Sequence, residues 1–126
     1  MRSDFYEFAE GFRVEAESTI KAELSRRSFL ERGIFGLFMP LIVNINTDQG
    51  SISISFFKDG SVQSERSLSS NPDVIIQADF ETLKKLYFSR DKNQFIQAER
   101  EGKIRITSSN LKGKQAERKI RELLYC

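Results

Sequence analysis

Catalysis needs groups that move protons, attack carbon or phosphorus, or hold metals, and this chain is poor in all three. It has no histidine and a single cysteine, Cys126. Neither a Ser-His-Asp nor a Cys-His arrangement can therefore be assembled. The same lack removes the usual ligands of zinc and other transition metals. No G-x-x-x-x-G-K-[ST] or G-x-G-x-x-G run is present to cradle a phosphate. Carboxylates and phenols remain. Asp79 with Glu81, and Glu99 with Glu101, are close pairs, but each falls at an expected helix end or turn, where capping and solvation account for it. Of Tyr6, Tyr87 and Tyr125, only Tyr87 sits beside an apolar stripe (Leu83, Leu86), where it could donate to a bound polar group. The residues imply no cofactor and no metal, and they point to a non-enzymatic protein whose function lies in a cavity.

The elements that would build such a cavity are legible in the composition and periodicity. A length of 126 residues suits one domain, residues 1–126. Hydrophobic residues make up 39% and charged residues 30%, the balance of a globular chain. Phe is over-used, with 11 Phe against three Tyr and no Trp. Phe brings area with no polar atom to satisfy, so it serves a dense core and an apolar pocket equally. The net charge of +2 argues against nucleic acid as a partner. Lys112, Lys114, Arg118, Lys119 and Arg121 gather late, with Glu117 and Glu122 among them. They read as the solvated face of a helix or as a weak contact with an anionic membrane. The lone Cys126 cannot form an intramolecular disulfide and is expected to be an exposed thiol. The N-terminal M-R-S-D-F-Y-E has no apolar signal core, and the apolar run Ile34 to Val43 is about half of the roughly 20 residues that span a bilayer. The expectation is a cytoplasmic protein.

Along the chain, Phe5, Phe8, Phe12, Ala16, Ile20 and Leu24 recur at three- and four-residue steps. This predicts helix over 4–32, as one piece or broken near Ser25 to Ser28, with Gly33 as its stop. Ile34 to Met39 reads as an apolar connector that packs against something. Strands are expected at Leu41–Thr47, Ser51–Phe56, Val62–Leu68, Asp73–Ala78 and Lys103–Thr107, with Asp59-Gly60 as a type I′ hairpin turn. Asp79 caps one helix, Asp91 with Gln94 opens a second that Gly102 ends, and Ser109 or Asn110 caps a last one. The sum is α+β: a five-stranded, mostly antiparallel sheet (with the last helix, 40–126) covered by helices on one face, preceded by the helical region 1–32.

Several stretches together carry a resemblance. Val74-Ile75-Ile76 runs into Asp79-Phe80-Glu81-Thr82-Leu83. Phe95, Ile96 and Ala98 lead to Gly102-Lys103-Ile104-Arg105-Ile106, and G-S-I-S-I-S-F-F-K-D-G-S-V forms an early hairpin. This order resembles the sterol carrier protein type-2 family of lipid-binding domains. The sequence departs from the family at Thr107-Ser108-Ser109, where members often carry Gly-Asp. The resemblance implies a non-enzymatic carrier that binds and transfers an apolar lipid (fatty acid, acyl-CoA, sterol or isoprenoid) in a hydrophobic tunnel between sheet and helices. Lining candidates carried over by position are Phe56, Ile76, Leu83, Leu86, Tyr87 and Phe95, followed by Ile104 and Ile106. The last helix adds Ile120, Leu123 and Leu124. Transient contact with a membrane surface would come from the Phe5/Phe8/Phe12 stripe or from the cations of the last helix. The alternative is an interaction module with a filled core and no ligand, its Phe residues and apolar connector serving core and homodimer contacts.

Overall fold

Phe5, Ala9, Phe12, Ala16 and Ile20 lie on one side of a helix, and all five are buried along α1 (Asp4–Arg26). The computed structural model describes residues 4–125; Cys126, the expected exposed thiol, lies outside them. Asp4 and Glu7 place negative charge in the first turn of α1, where it complements the helix dipole. The helix ends before Ser28, which opens α2 (Phe29–Leu37) through a capping box. The Ser28 hydroxyl accepts from the Glu31 N–H, and the Glu31 carboxylate accepts from the Ser28 N–H. Gly33 therefore does not stop a helix but lies inside one, and much of the expected connector is the second half of α2.

The strands are β1 (Leu41–Thr47), β2 (Gly50–Phe56), β3 (Val62–Glu65), β4 (Val74–Ala78) and β5 (Ile104–Ser108), in the order β3-β2-β1-β4-β5. The sheet is mixed, which corrects the mostly antiparallel expectation: β1 pairs with β4 in parallel, Val43 opposite Val74 and Ile45 opposite Ile76. The cause is the path after β3. The chain leaves β3 at one edge and returns beside β1, so it crosses two strands without a helix. Asn44 pins that crossing from below. Its side-chain amide donates to the Ser69 carbonyl and accepts from the Ser69 N–H, both at 3.0 Å. This leaves Asn44 buried yet satisfied. Arg66 to Leu68 belong to the crossing, so β3 is shorter than the expected, mostly polar strand Val62–Leu68.

The turn after β2 also differs from expectation. The Gly60 N–H donates to the Phe57 carbonyl, and the Phe57 N–H to the Ser61 carbonyl, each at 3.0 Å. Gly60 alone takes positive φ, at 89°, while a type I′ turn would put Asp59 there too. The loop is the three-residue kind with a glycine bulge, and the Asp59 carboxylate accepts from the Ser61 N–H.

One face of the sheet is apolar and carries the helices. Ile52, Ile54 and Phe56 sit opposite Ile45, Val43 and Leu41, and Ile76 sits opposite Ile106. The other face shows Ser51, Ser55, Asn46, Gln77 and Arg105. Helix α3 (Phe80–Ser89) starts at Asp79, whose carboxylate accepts from the Thr82 N–H. Helix α4 (Lys92–Arg100) starts at Asp91, which accepts from the N–H groups of Asn93 and Gln94. Phe8 makes edge contacts with Phe80 and Tyr87, and Phe12 with Tyr87, so the aromatic stripe of α1 is spent on α3. Helix α5 (Leu111–Tyr125) closes the domain against β5 and β4.

Asp73 ties these layers together. Its backbone and carboxylate exchange hydrogen bonds with the N–H and C=O of Ile42 at 2.8 Å, fixing β4 to β1. Its other carboxylate oxygen accepts from the Asn110 amide at 2.7 Å, and Lys112 lies 3.4 Å away. The carboxylate is only 8% exposed, so removing it strands buried donors and a cation. Asp73→Ala should lower unfolding free energy by about 3 kcal/mol. Urea denaturation checks this, and an unchanged midpoint would show that the clasp is dispensable.

Candidate functional site

Helices α1, α2 and α5 leave a space between them beside Leu41 at the start of β1 and Phe56 at the end of β2. The result is an apolar cavity of about 500 Å³, bounded by α1, α2, α5 and the adjoining ends of β1 and β2. Helix α1 contributes Ile20 and Leu24, and the strand ends contribute Leu41 and Phe56. Helix α5 contributes Ala116, Ile120 and Leu123. The roof is α2 with the residues after it: Ile34, Phe35, Phe38 and Met39. The roof is lightly held, because no residue of α2 is buried.

The rim is polar. Lys119 Nζ lies 2.5 Å from Glu23 Oε1, and Arg27 lies 3.0 Å from Glu31. Lys119, Glu23 and Leu123 also line a neighbouring cavity of about 140 Å³, whose other walls include Glu15, Tyr87, Arg90 and Glu122. An apolar chamber thus adjoins a small charged one, with an ion pair at the junction. A third, wider groove of about 820 Å³ runs along the outer side of α1 beside Tyr6, Val14 and Arg66. It is open to solvent and lacks convergent walls.

The small chamber has a defined electrostatic character. The Tyr87 hydroxyl donates to the Glu15 carboxylate, and the Arg90 guanidinium sits 4.2 Å over the Tyr87 ring. Arg90 also ion-pairs with Glu15 and donates to the Leu123 carbonyl at 3.1 Å. These contacts hold Arg90 in the left-handed conformation, φ 52°, that ends α3. Burial first, then Glu15, pushes the Tyr87 pKa up from 10.0 to about 12. The folded state therefore holds the phenol proton more tightly than the unfolded chain. The associated stability is whole below pH 10.0 and is lost as pH rises towards about 12. Tyr87→Phe should flatten that decline, a difference on the order of 2 kcal/mol visible in denaturant midpoints taken across that window.

The carboxylate pairs are structural. Asp79 is held below the usual carboxylate range by Thr82, side chain first and backbone second. Glu101 is lowered by its hydrogen bond from Gln97 and then by Lys103. Glu99 grips Arg121 with both oxygens, at 2.9 and 3.0 Å, and raises the Arg121 pKa. A general acid at neutral pH needs a raised carboxyl pKa, and these shifts run the other way. Among the described residues no group of three or more Cys, Asp or Glu could hold a metal.

The eleven lining candidates divide. Phe56, Ile120 and Leu123 lie on the apolar cavity, and Tyr87 lies with Leu123 on the smaller one. Ile76, Leu83, Leu86, Phe95, Ile104, Ile106 and Leu124 are packed in the core beneath. The sequence reading missed Ile20, Leu24, Leu41 and the whole roof. The Ser28-x-x-Glu31 spacing ahead of an apolar run was the available signal for α2.

No family model and no curated protein matches this sequence. Solved structures do match. A ubiquinone synthesis protein, UbiJ-SCP2, is 14% identical with a TM-score of 0.57, covering 94% of this chain and 91% of that one. Palmitated SCP2L2 from Aedes aegypti is 17% identical with a TM-score of 0.46, covering 89% of this chain and 93% of that one. The sec-alkylsulfatase Pisa1 from Pseudomonas sp. is 17% identical with a TM-score of 0.48, over 68% of this chain but 13% of that one. The chain has the sterol carrier protein type-2 fold, as the sequence resemblance implied.

Proposed function

We propose that this protein binds a single apolar or amphipathic lipid in the chamber beneath α2 and carries it without chemical change. The observation that supports this most is the apolar chamber itself, at about 500 Å³ within the range of small-molecule sites. Its walls offer Phe, Leu, Ile and Met side chains, so affinity comes from area. Each methylene taken from water contributes about 0.8 kcal/mol. No reacting group is required for that. A polar end of the ligand would meet the Lys119–Glu23 pair, where the chamber adjoins the charged one. Access would be past α2, which joins α1 through Arg27-Ser28 and whose roof residues run from exposed Ile34 to half-buried Phe35, Phe38 and Met39.

The test is an organic extract of gently purified protein, analysed by mass spectrometry against a mock purification. It is repeated after incubation with fatty acids, sterols and a polyprenyl quinone, the last because a protein of similar fold acts in ubiquinone synthesis. A lipid at one per chain is the expected result. Extracts that stay empty through every addition overturn the reading and favour the alternative, an interaction module without ligand.

A further inference from the structure

We propose that the outer face of α2 docks on an anionic lipid bilayer. The helix is amphipathic in the unusual sense, with its more apolar side turned to solvent. Phe29 is 93% exposed, Leu37 81% and Leu30 72%. At 100° per residue these three fall within one arc with Gly33, and a Cβ added at Gly33 would meet nothing within 4 Å. Phe35, which faces the chamber, lies opposite that arc. Phe29, Leu30 and Leu37 do not line the chamber, so this surface is distinct from the ligand site and stands whether or not a ligand is found.

Charge chooses the occupant. Arg26 and Lys58 are exposed and make no ion pair among the described residues, and Arg32 donates only to the neutral Leu24 carbonyl. Lys58 lies alongside α2, its Cβ 3.7 Å from where a Gly36 Cβ would stand. Glu31 is the one acid on α2, and Arg27 already neutralises it; Asp59, next to Lys58, is turned to the Ser61 N–H and hydroxyl. A short apolar strip flanked by unneutralised cations is complementary to acidic headgroups over hydrocarbon. It is a poor match for a second copy. A helix of this length spans roughly 13 Å, too little for the roughly 800 Å² per partner of a stable interface. A two-fold pairing would also set like charges against each other. The two membrane surfaces expected from the sequence are already engaged within the fold. Phe5 and Phe12 are buried, and Lys112, Lys114, Lys119 and Arg121 on α5 are in ion pairs.

Co-sedimentation of the full chain tests this, with vesicles of phosphatidylcholine alone or of equal parts phosphatidylcholine and phosphatidylglycerol. The wild type should pellet with the anionic vesicles, less so at high salt. The triple variant Phe29→Ser, Leu30→Ser, Leu37→Ser should bind at least about tenfold more weakly. Arg26→Gln with Lys58→Gln should weaken binding to anionic vesicles while leaving the apolar face intact, and both variants should melt as the wild type does. Equal binding by wild type and triple variant overturns the proposal. So does a wild type that ignores anionic vesicles but sediments as a dimer that the triple variant dissolves.

Discussion

Ala116→Phe should abolish lipid retention and make the protein more stable. Ala116 stands on the α5 wall of the chamber, one turn before Ile120, and is half-buried. A benzyl group there would project into space that the ligand would otherwise fill. Burying it removes apolar area from water and should stabilise the free protein by about 1–2 kcal/mol. The opposite sign is the rule for packed cores, where an added ring forces neighbours off their rotamers and costs about 1–3 kcal/mol. The stability readout therefore decides whether the chamber is open, independently of what occupies it. The retention readout, from extract mass spectrometry and displacement of a fluorescent fatty acid, decides whether it is the ligand site. Greater stability with lost retention is the expected pair. Lower stability with normal retention would mean that α5 packs tightly at this point and that lipid, if bound, sits elsewhere.

The same distinction explains what could be read from the sequence. The alternation Ile52, Ile54, Phe56 against Ser51, Ser53, Ser55 specifies a strand with its apolar side buried, because the side-chain period of two leaves no other register; that Ser53, opposite Asn44, is buried as well was not legible. Asp79 and Asp91 mark helix starts through a local hydrogen bond that needs no tertiary knowledge. The parallel pairing of β1 with β4 was not legible. It depends on Asn44 and Asp73, polar residues whose partners, Ser69 and Ile42, are 25 and 31 positions away. The chamber was legible only in composition. Ile76, Phe95 and Ile104 were candidates for its lining on the same grounds as Phe56 and Ile120, and nothing local separates a residue facing a void from one facing a neighbour. The roof was misread for a different reason. A run of Ile34, Phe35, Leu37, Phe38 and Met39 is too apolar for an ordinary surface helix, and Gly33 looked like a stop. Yet the helix is made by the capping box at Ser28, and its excess apolar side stays exposed.

Gly113→Ala should be the most damaging single methyl in the chain. In a helix this exchange normally stabilises by about 1 kcal/mol, since Ala loses less backbone entropy. At Gly113 the added carbon would stand 2.0 Å from the Asp73 carbonyl oxygen and 2.7 Å from its carbon. Both are backbone atoms and neither can rotate away. The first turn of α5 must therefore lift off β4. Lifting it strains contacts that all depend on this close approach: Ser109 N–H to the Asp73 carbonyl at 3.0 Å, and the Asn110 amide to the Asp73 carboxylate. Asn110 Oδ1 also accepts from the Gly113 N–H itself, at 2.7 Å. Overpacking against an immovable partner with these losses should cost about 3 kcal/mol. Gly11→Ala is the matched control. It lies on the exposed side of α1 with nothing within 4 Å of the new Cβ, and it should gain about 0.5–1 kcal/mol. Opposite signs for the two exchanges in the same urea titration are the expected result. Equal, small gains would mean that α5 does not rest on β4 as closely as these distances require. The chamber wall formed by Ala116, Ile120 and Leu123 would then need to be redrawn with it.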